Sequence, residues 1–240
     1  MRYDSYIICT SPRSGSTLLC RMLQEAGAGH PDSHFHTASL ADWRREHGLR
    51  VEADLAEIVQ AAKRTGSGDG DLFGMRLQRH SFEFFMRQLG LLNPECSSDV
   101  ARIEAAFGRT LFVYLNRTDK LDQAISYVKA QQTGLWHRAP DGTEIERMAP
   151  PAEPEYDGVR LAQQRDTFAG MTAAWETWFS AQGIAPLRIN YSDLSKDPSH
   201  EVNRILTALG RPTVEIVPSV ARLADQVNRD WAQRFAAEGR

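Results

Sequence analysis

The sequence predicts an α/β fold in three layers, with helices covering both faces of a central, mainly parallel sheet. Apolar, β-branched runs at residues 5–10, 72–77, 110–115 and 186–191 alternate with segments whose apolar residues recur at helical spacing. The runs are continuously apolar rather than alternating, as expected of strands buried on both faces. The chain has 240 residues, 42% of them hydrophobic and 25% charged, which suits one compact domain over residues 1–240.

The elements follow in order. Residues 5–10 (SYIICT) form a strand closed by SPRSGS, and Leu18, Leu19, Met22 and Leu23 mark a helix over 17–26. Val51, Leu55, Ile58, Val59 and Ala62 lie on one face of a second helix, which the glycines of residues 66–71 break before the strand at 72–77. Helices are expected over 81–89 and 98–107. The run TLFVYL at 110–115 is the clearest buried strand, and Leu121, Ile125 and Val128 mark the helix after it. Residues 137–158 carry Pro140, Pro150, Pro151 and Pro154, six acidic residues and no apolar period, so a long loop is expected there, a candidate lid. Leu161, Phe168, Met171, Trp175, Trp178 and Phe179 lie along a long helix. The strand at 186–191 follows, then a helix over 201–209 ended by Gly210 and a C-terminal helix over 221–235.

The apolar runs are too short to cross a bilayer, and the N-terminus lacks the basic and apolar regions of a secretory signal. A cytoplasmic location is expected. Cys9, Cys20 and Cys96 are odd in number and lack the spacing of a zinc site or a disulfide framework, so no metal is expected. The net charge of −3 gives no sign of the basic face that a nucleic-acid partner would need. Within that balance, Lys63, Lys120, Lys129 and Lys196 are the only lysines among 28 basic residues, the other 24 being arginine. Arginine recognises phosphate-like anions through its planar, two-pronged donor edge.

The segment SPRSGST at 11–17 joins a strand to a helix N-terminus. Unpaired amides there, the freedom of Gly15 and the hydroxyls of Ser14, Ser16 and Thr17 make a P-loop-like anion site. It is not a nucleoside triphosphate loop. Gly15 is followed by Ser16 and Thr17 with no lysine between, and the strand at 110–115 ends in Asn116 and Arg117 rather than a magnesium-binding aspartate. A tyrosine-phosphatase loop needs its arginine farther from the cysteine than Arg13 is from Cys9. A nucleophile elbow needs Gly-x-Ser-x-Gly, whereas Gly15-Ser16 is followed by Thr17, Leu18 and Leu19.

The opening strand with PRSGST, Arg117 with Ser126 on the next helix, DQAISYVKAQQTGLW at 122–136 and YSDLSKDP at 191–198 together resemble the bacterial Stf-zero-type sulfotransferases. That group includes enzymes that sulfate trehalose and others called lipopolysaccharide- or nodulation-sulfotransferase-like. The resemblance extends over nearly the whole chain. It implies a sulfuryl donor, 3′-phosphoadenosine 5′-phosphosulfate (PAPS), whose 5′-phosphosulfate would lie against Arg13, Ser14, Gly15, Ser16 and Thr17 and whose 3′-phosphate would meet Arg117 and Ser126. It also implies a carbohydrate or glycolipid acceptor and admits a homodimer.

Transfer to a hydroxyl needs stabilisation of the leaving phosphate, for which Arg13 is placed, and a general base. The family base is a glutamate in a Pro-x-Glu-Phe-Phe-like stretch, and Ser33 stands at its position in PDSHFH at 31–36. His36 and His34 are the substitutes by residue type, with Asp32 and His80 behind them. Arg76, at the end of the strand at 72–77, is a candidate for the sulfonate or acceptor, and Phe35, Trp43 and Trp136 are candidates for stacking on a sugar ring. A catalytically silent PAPS-binding regulator and a small-molecule kinase are the alternatives.

Overall fold

A computed structural model of the chain describes residues 2–217 and 225–239. The elements are β1 (Ser5–Thr10), α1 (Ser16–Glu25), α2 (Leu40–Glu46), α3 (Leu55–Ser67), β2 (Phe73–Gln78), α4 (Arg79–Leu92), α5 (Asp99–Phe107), β3 (Thr110–Asn116), α6 (Lys120–Thr133), β4 (Leu135–Arg138), β5 (Glu144–Arg147), α7 (Gly158–Ala181), β6 (Leu187–Asn190), α8 (Tyr191–Lys196), α9 (Pro198–Ala208) and α10 (Gln226–Ala237).

Four strands form one parallel sheet in the order β2-β1-β3-β6. Successive side chains on a strand point to opposite faces, and the core divides accordingly. Ile7, Cys9, Met75, Leu77, Phe112 and Tyr114 face α2, α3, α4, α5 and α7, including Trp43, Phe85, Phe107 and Trp175. Tyr6, Ile8, Leu111, Val113, Leu115 and Ile189 face α1, α8 and α9. This is the expected three-layer arrangement, with β1 buried along its whole length. All four strands point the same way, so their C-terminal ends, and the loops after them, share one edge. Open α/β sheets bind ligands there.

The structure corrects several boundaries. Val51 is 80% exposed and lies outside α3, which starts at Leu55 because Asp54 and Glu57 cap it reciprocally. The glycines at 66–71 do not all break α3, which runs through the buried Gly66 and ends at Ser67. Helices α2 and α8 are too short for periodicity to reveal. Ser39 caps α2 by accepting from the Asp42 amide, and Asn190 caps α8 by accepting from the Ser192 amide. Residues 137–158 are not one loop. β4 and β5 pair antiparallel across a turn in which Gly142 has φ 91° and Asp141 accepts from the Thr143 amide. The C-terminal helix begins at Gln226, and the part expected at 221–224 lies outside the described residues. Among the described residues no helix is long and apolar enough to cross a membrane.

Candidate functional site

The loop after β1 has two left-handed residues, Arg13 at φ 61° and Gly15 at φ 88°. Arg13 is the one non-glycine among the described residues with positive φ, a conformation that costs a side-chain-bearing residue about 1–2 kcal/mol. The alternation turns consecutive amides toward one point. α1 starts at Ser16 with no side-chain cap, and the amides of Ser14, Gly15, Ser16 and Thr17 have no acceptor among the described residues. That is an anion nest at a helix N-terminus. The Ser14 hydroxyl does not join it, because it hydrogen-bonds Thr10 Oγ1 at 2.6 Å, which in turn donates to the Leu115 carbonyl at 2.8 Å. Gln123 on α6 clamps the other limb, donating to Ser11 Oγ at 2.9 Å and to the Pro12 carbonyl at 2.6 Å. Gly15 is required twice over, since a Cβ there would lie 2.7 Å from the Tyr191 ring.

Three arginines surround the nest in different states. Arg13 Nε donates to Ser126 Oγ at 3.0 Å and Nη1 to the Trp136 carbonyl at 2.7 Å, with the guanidinium 5.8 Å from the Trp136 ring centroid. Among the described residues no carboxylate lies within ion-pair distance of Arg13. Burial, and then the neighbouring Arg117 charge, push its pKa down to about 10. Arg117 is only 4% exposed; Nη1 donates to the Arg13 carbonyl at 3.0 Å, Nη2 pairs with Asp122, and the guanidinium lies 4.3 Å from the Tyr191 ring centroid. Among the described residues its buried Nε has no partner. Arg76 is fully engaged: it reaches Ser33 Oγ at 2.8 Å, Thr17 Oγ1 at 3.0 Å and Asp32 at 3.1 Å, tying the segment at 32–33 to the nest.

The family model for Stf0 sulphotransferase matches residues 5–238. The chain belongs to the Stf0 sulfotransferase family. It is a sulfotransferase, and it is 26% identical over 259 residues to the trehalose 2-sulfotransferase of Mycolicibacterium smegmatis, spanning 96% of this chain and 94% of that one. It is 27% identical over 262 residues to the trehalose 2-sulfotransferase of Mycobacterium tuberculosis, spanning 97% and 94%. Similar solved structures include a sulfotransferase from Alicyclobacillus acidocaldarius (TM-score 0.48, 14% identity, 99% and 92% coverage). The sulfotransferase domain of the Synechococcus PCC 7002 olefin synthase is another (TM-score 0.47, 15% identity, 98% and 95% coverage).

In this Stf0 chain the histidines expected to replace the family glutamate occupy different environments. His34 is 7% exposed, its Nε2 lies 3.2 Å from the His30 carbonyl, and burial lowers its pKa. His36 is exposed and stands edge-on to His80 with centroids 4.9 Å apart, and its pKa is lowered by partial desolvation and then by Arg76. Phe35 and Trp43 are core residues in edge contact at 4.9 Å, so neither offers a face to a sugar. The Trp136 ring packs on Tyr127 at 5.7 Å. Sequence reasoning quoted Asp122 and Gln123 within the segment 122–136 and placed Tyr191 at the end of the strand at 186–191, but gave none of the three a role at the site. It also missed the His137–Glu146 pair of the β4–β5 hairpin, in which Nδ1 meets Glu146 Oε2 at 2.5 Å. Among the described residues no three His, Cys, Asp or Glu side chains gather into a metal site.

Proposed function

We propose that this sulfotransferase takes its sulfuryl group from PAPS and passes it to a hydroxyl of a carbohydrate or glycolipid. The observation that carries the reading is the nest of amides at residues 14–17, unpartnered among the described residues, beside Arg13, a half-buried cation with no carboxylate at ion-pair distance among the described residues and next to a second cation. Such an arrangement is electrostatically incomplete until an anion arrives. The buried Nε of Arg117, without a partner among the described residues, adds a donor. Beside Arg13 and Ser126 a cavity of about 400 Å³ opens, within the size range of small-molecule sites. The chain's similarity to two trehalose 2-sulfotransferases supports a sugar acceptor.

In this reading Arg13 and the amides of residues 14–17 hold the 5′-phosphosulfate, while Arg117 and Ser126 hold the 3′-phosphate. PAPS supplies a sulfuryl group already attached to a phosphate leaving group. Arg13 and the loop amides then meet the charge that grows on that phosphate oxygen, and being fixed beforehand they need no reorganisation. Arg76 positions Ser16, Thr17 and the segment at 32–33 on the acceptor side, and Trp136 backs the Arg13 guanidinium. His36 is the better exposed of the two sequence-predicted bases.

The test is a thermal-shift and titration comparison of 3′-phosphoadenosine 5′-phosphate (PAP) with magnesium ATP, followed by transfer from labelled PAPS to trehalose and a panel of sugars and glycolipids. PAP should stabilise the protein more than magnesium ATP does. Absence of PAP binding would remove the donor assignment.

A further inference from the structure

We infer that His137, held by Glu146 on the β4–β5 hairpin, is the general base for the acceptor hydroxyl in this chain, replacing the family glutamate whose position Ser33 fills. The inference rests on the donor site proposed above. The register of the hairpin sets His137 opposite Glu146, so both side chains leave the same face, and the carboxylate meets Nδ1 at 2.5 Å. A carboxylate on Nδ1–H fixes the tautomer whose free nitrogen is Nε2, the arrangement in which imidazole takes a proton from an attacking oxygen. Among the described residues Nε2 has no partner, and the His137 side chain is 20% exposed.

The hairpin brings this pair to the nest. Arg13 donates to the carbonyl of Trp136, the residue next to His137. Glu146 lies within electrostatic reach of Arg13, Arg76 and His36, and its pKa is lowered chiefly by the His137 hydrogen bond. The two faces of the hairpin are distinct, since Arg138 and Arg147 line the cavity beside Ser126 and His137 and Glu146 do not. The other imidazoles around the nest lack this support. His34 is buried against a carbonyl, and His36 and His80 lean on each other. Ser33 cannot serve in the glutamate's place, because a hydroxyl bound by Arg76 is no base.

In the step itself His137 Nε2 takes the proton of the acceptor hydroxyl as the acceptor oxygen bonds to sulfur. The bond from sulfur to the donor's phosphate oxygen breaks, and its electron pair stays on that oxygen against Arg13 and the loop amides. The products are a sulfate ester, PAP and an imidazolium that returns its proton to water. Glu146 is a positioning residue, acting through His137.

The experiment measures PAP released from PAPS in the presence of trehalose, which counts transfer to the sugar and to water alike, with PAP affinity measured on the same preparations. His137→Ala should lower turnover roughly 100- to 10,000-fold, the usual contribution of a general base, with PAP affinity unchanged; retained affinity also shows that the variant is folded. Glu146→Gln should lower turnover less, with Glu146→Asp recovering part of it. Long-range proton–nitrogen spectra should show the Nδ1–H tautomer of His137 in the wild type and a mixture of tautomers in Glu146→Gln, which a merely structural role for Glu146 would not produce. A wild type that binds PAP while His137→Ala turns over normally overturns the dyad alone. A wild type that binds no PAP overturns the donor reading and the dyad with it.

Discussion

The nest after β1 and the β4–β5 hairpin that reaches over it are built in opposite ways. The nest hangs from a strand buried along its whole length, Ser14 is wholly buried, and Gln123, Thr10 and Tyr191 fix its course. The hairpin has two four-residue strands with register shifts between Leu135 and Arg138. A few bonds hold it to the body, among them Arg13 to the Trp136 carbonyl, the Met148 amide to Gly134 and Arg147 to the Thr133 carbonyl. Two-stranded ribbons are marginal by themselves. In the function proposed above, the fixed half would hold a donor whose phosphates never vary, and the adaptable half would meet the acceptor.

Matched glycine substitutions test that contrast most sharply. Gly15→Ala combines positive φ with a clash against Tyr191, so it should cost about 2 kcal/mol or more, lower Tm by several degrees and weaken PAP binding by more than about 100-fold. Gly142→Ala in the hairpin turn has positive φ but no atom within 4 Å of the new methyl; it should cost about 1 kcal/mol and leave PAP affinity unchanged. Calorimetric titration and melting curves of both variants decide it, and equal effects would erase the distinction.

Next in size, Arg13→Ala and Arg117→Ala should each weaken PAP binding roughly 10- to 150-fold, the worth of a charge-assisted hydrogen bond. Unchanged affinity in Arg117→Ala would confine its role to the contacts it makes with Asp122, the Arg13 carbonyl and the Tyr191 ring. Trp136→Ala removes the ring but keeps the carbonyl that holds Arg13, so PAP affinity should fall only about 2- to 5-fold, in line with a partly exposed cation–π contact.

The smallest effect concerns pH. Hydrogen bonding to His137, then the Arg76 and Arg13 charges, hold Glu146 below its ordinary value of about 4.3. Its contribution to the hairpin is thus present above that value and lost as pH falls through the lower folded one. Amide resonances of Glu144–Arg147 should shift on acidification below about pH 4.3 while those of β1 stay in place. Movement of both together would show the hairpin and the sheet to be one cooperative unit.

The sequence was most legible where one local signal sufficed. The apolar run at β1, the breakers after it and the spacing of Leu19, Met22 and Leu23 specify strand, nest and helix with no long-range information. The position of Arg117 at the end of β3 was legible for the same reason. What escaped notice depends on pairing between distant residues. Nothing local marks Gln123 as the clamp of a loop over a hundred residues earlier. The hairpin hid because its strands are short and its outward residues are acidic, so Glu144 and Glu146 read as solvated loop until β4 supplies a register. Aromatic character misled at Phe35 and Trp43, since a ring suited to stacking on a sugar is equally suited to filling a core.

Arg13 and Arg117 stand close together without full neutralisation, and so the folded chain carries internal repulsion that any compact oxyanion relieves. Inorganic sulfate and phosphate are such anions. Either should raise the melting temperature by binding only the folded form, and each should also compete for the nest and lower apparent turnover. Storage in sulfate and assay in chloride are therefore different conditions for this protein, and the choice of buffer salt sets part of its measured activity.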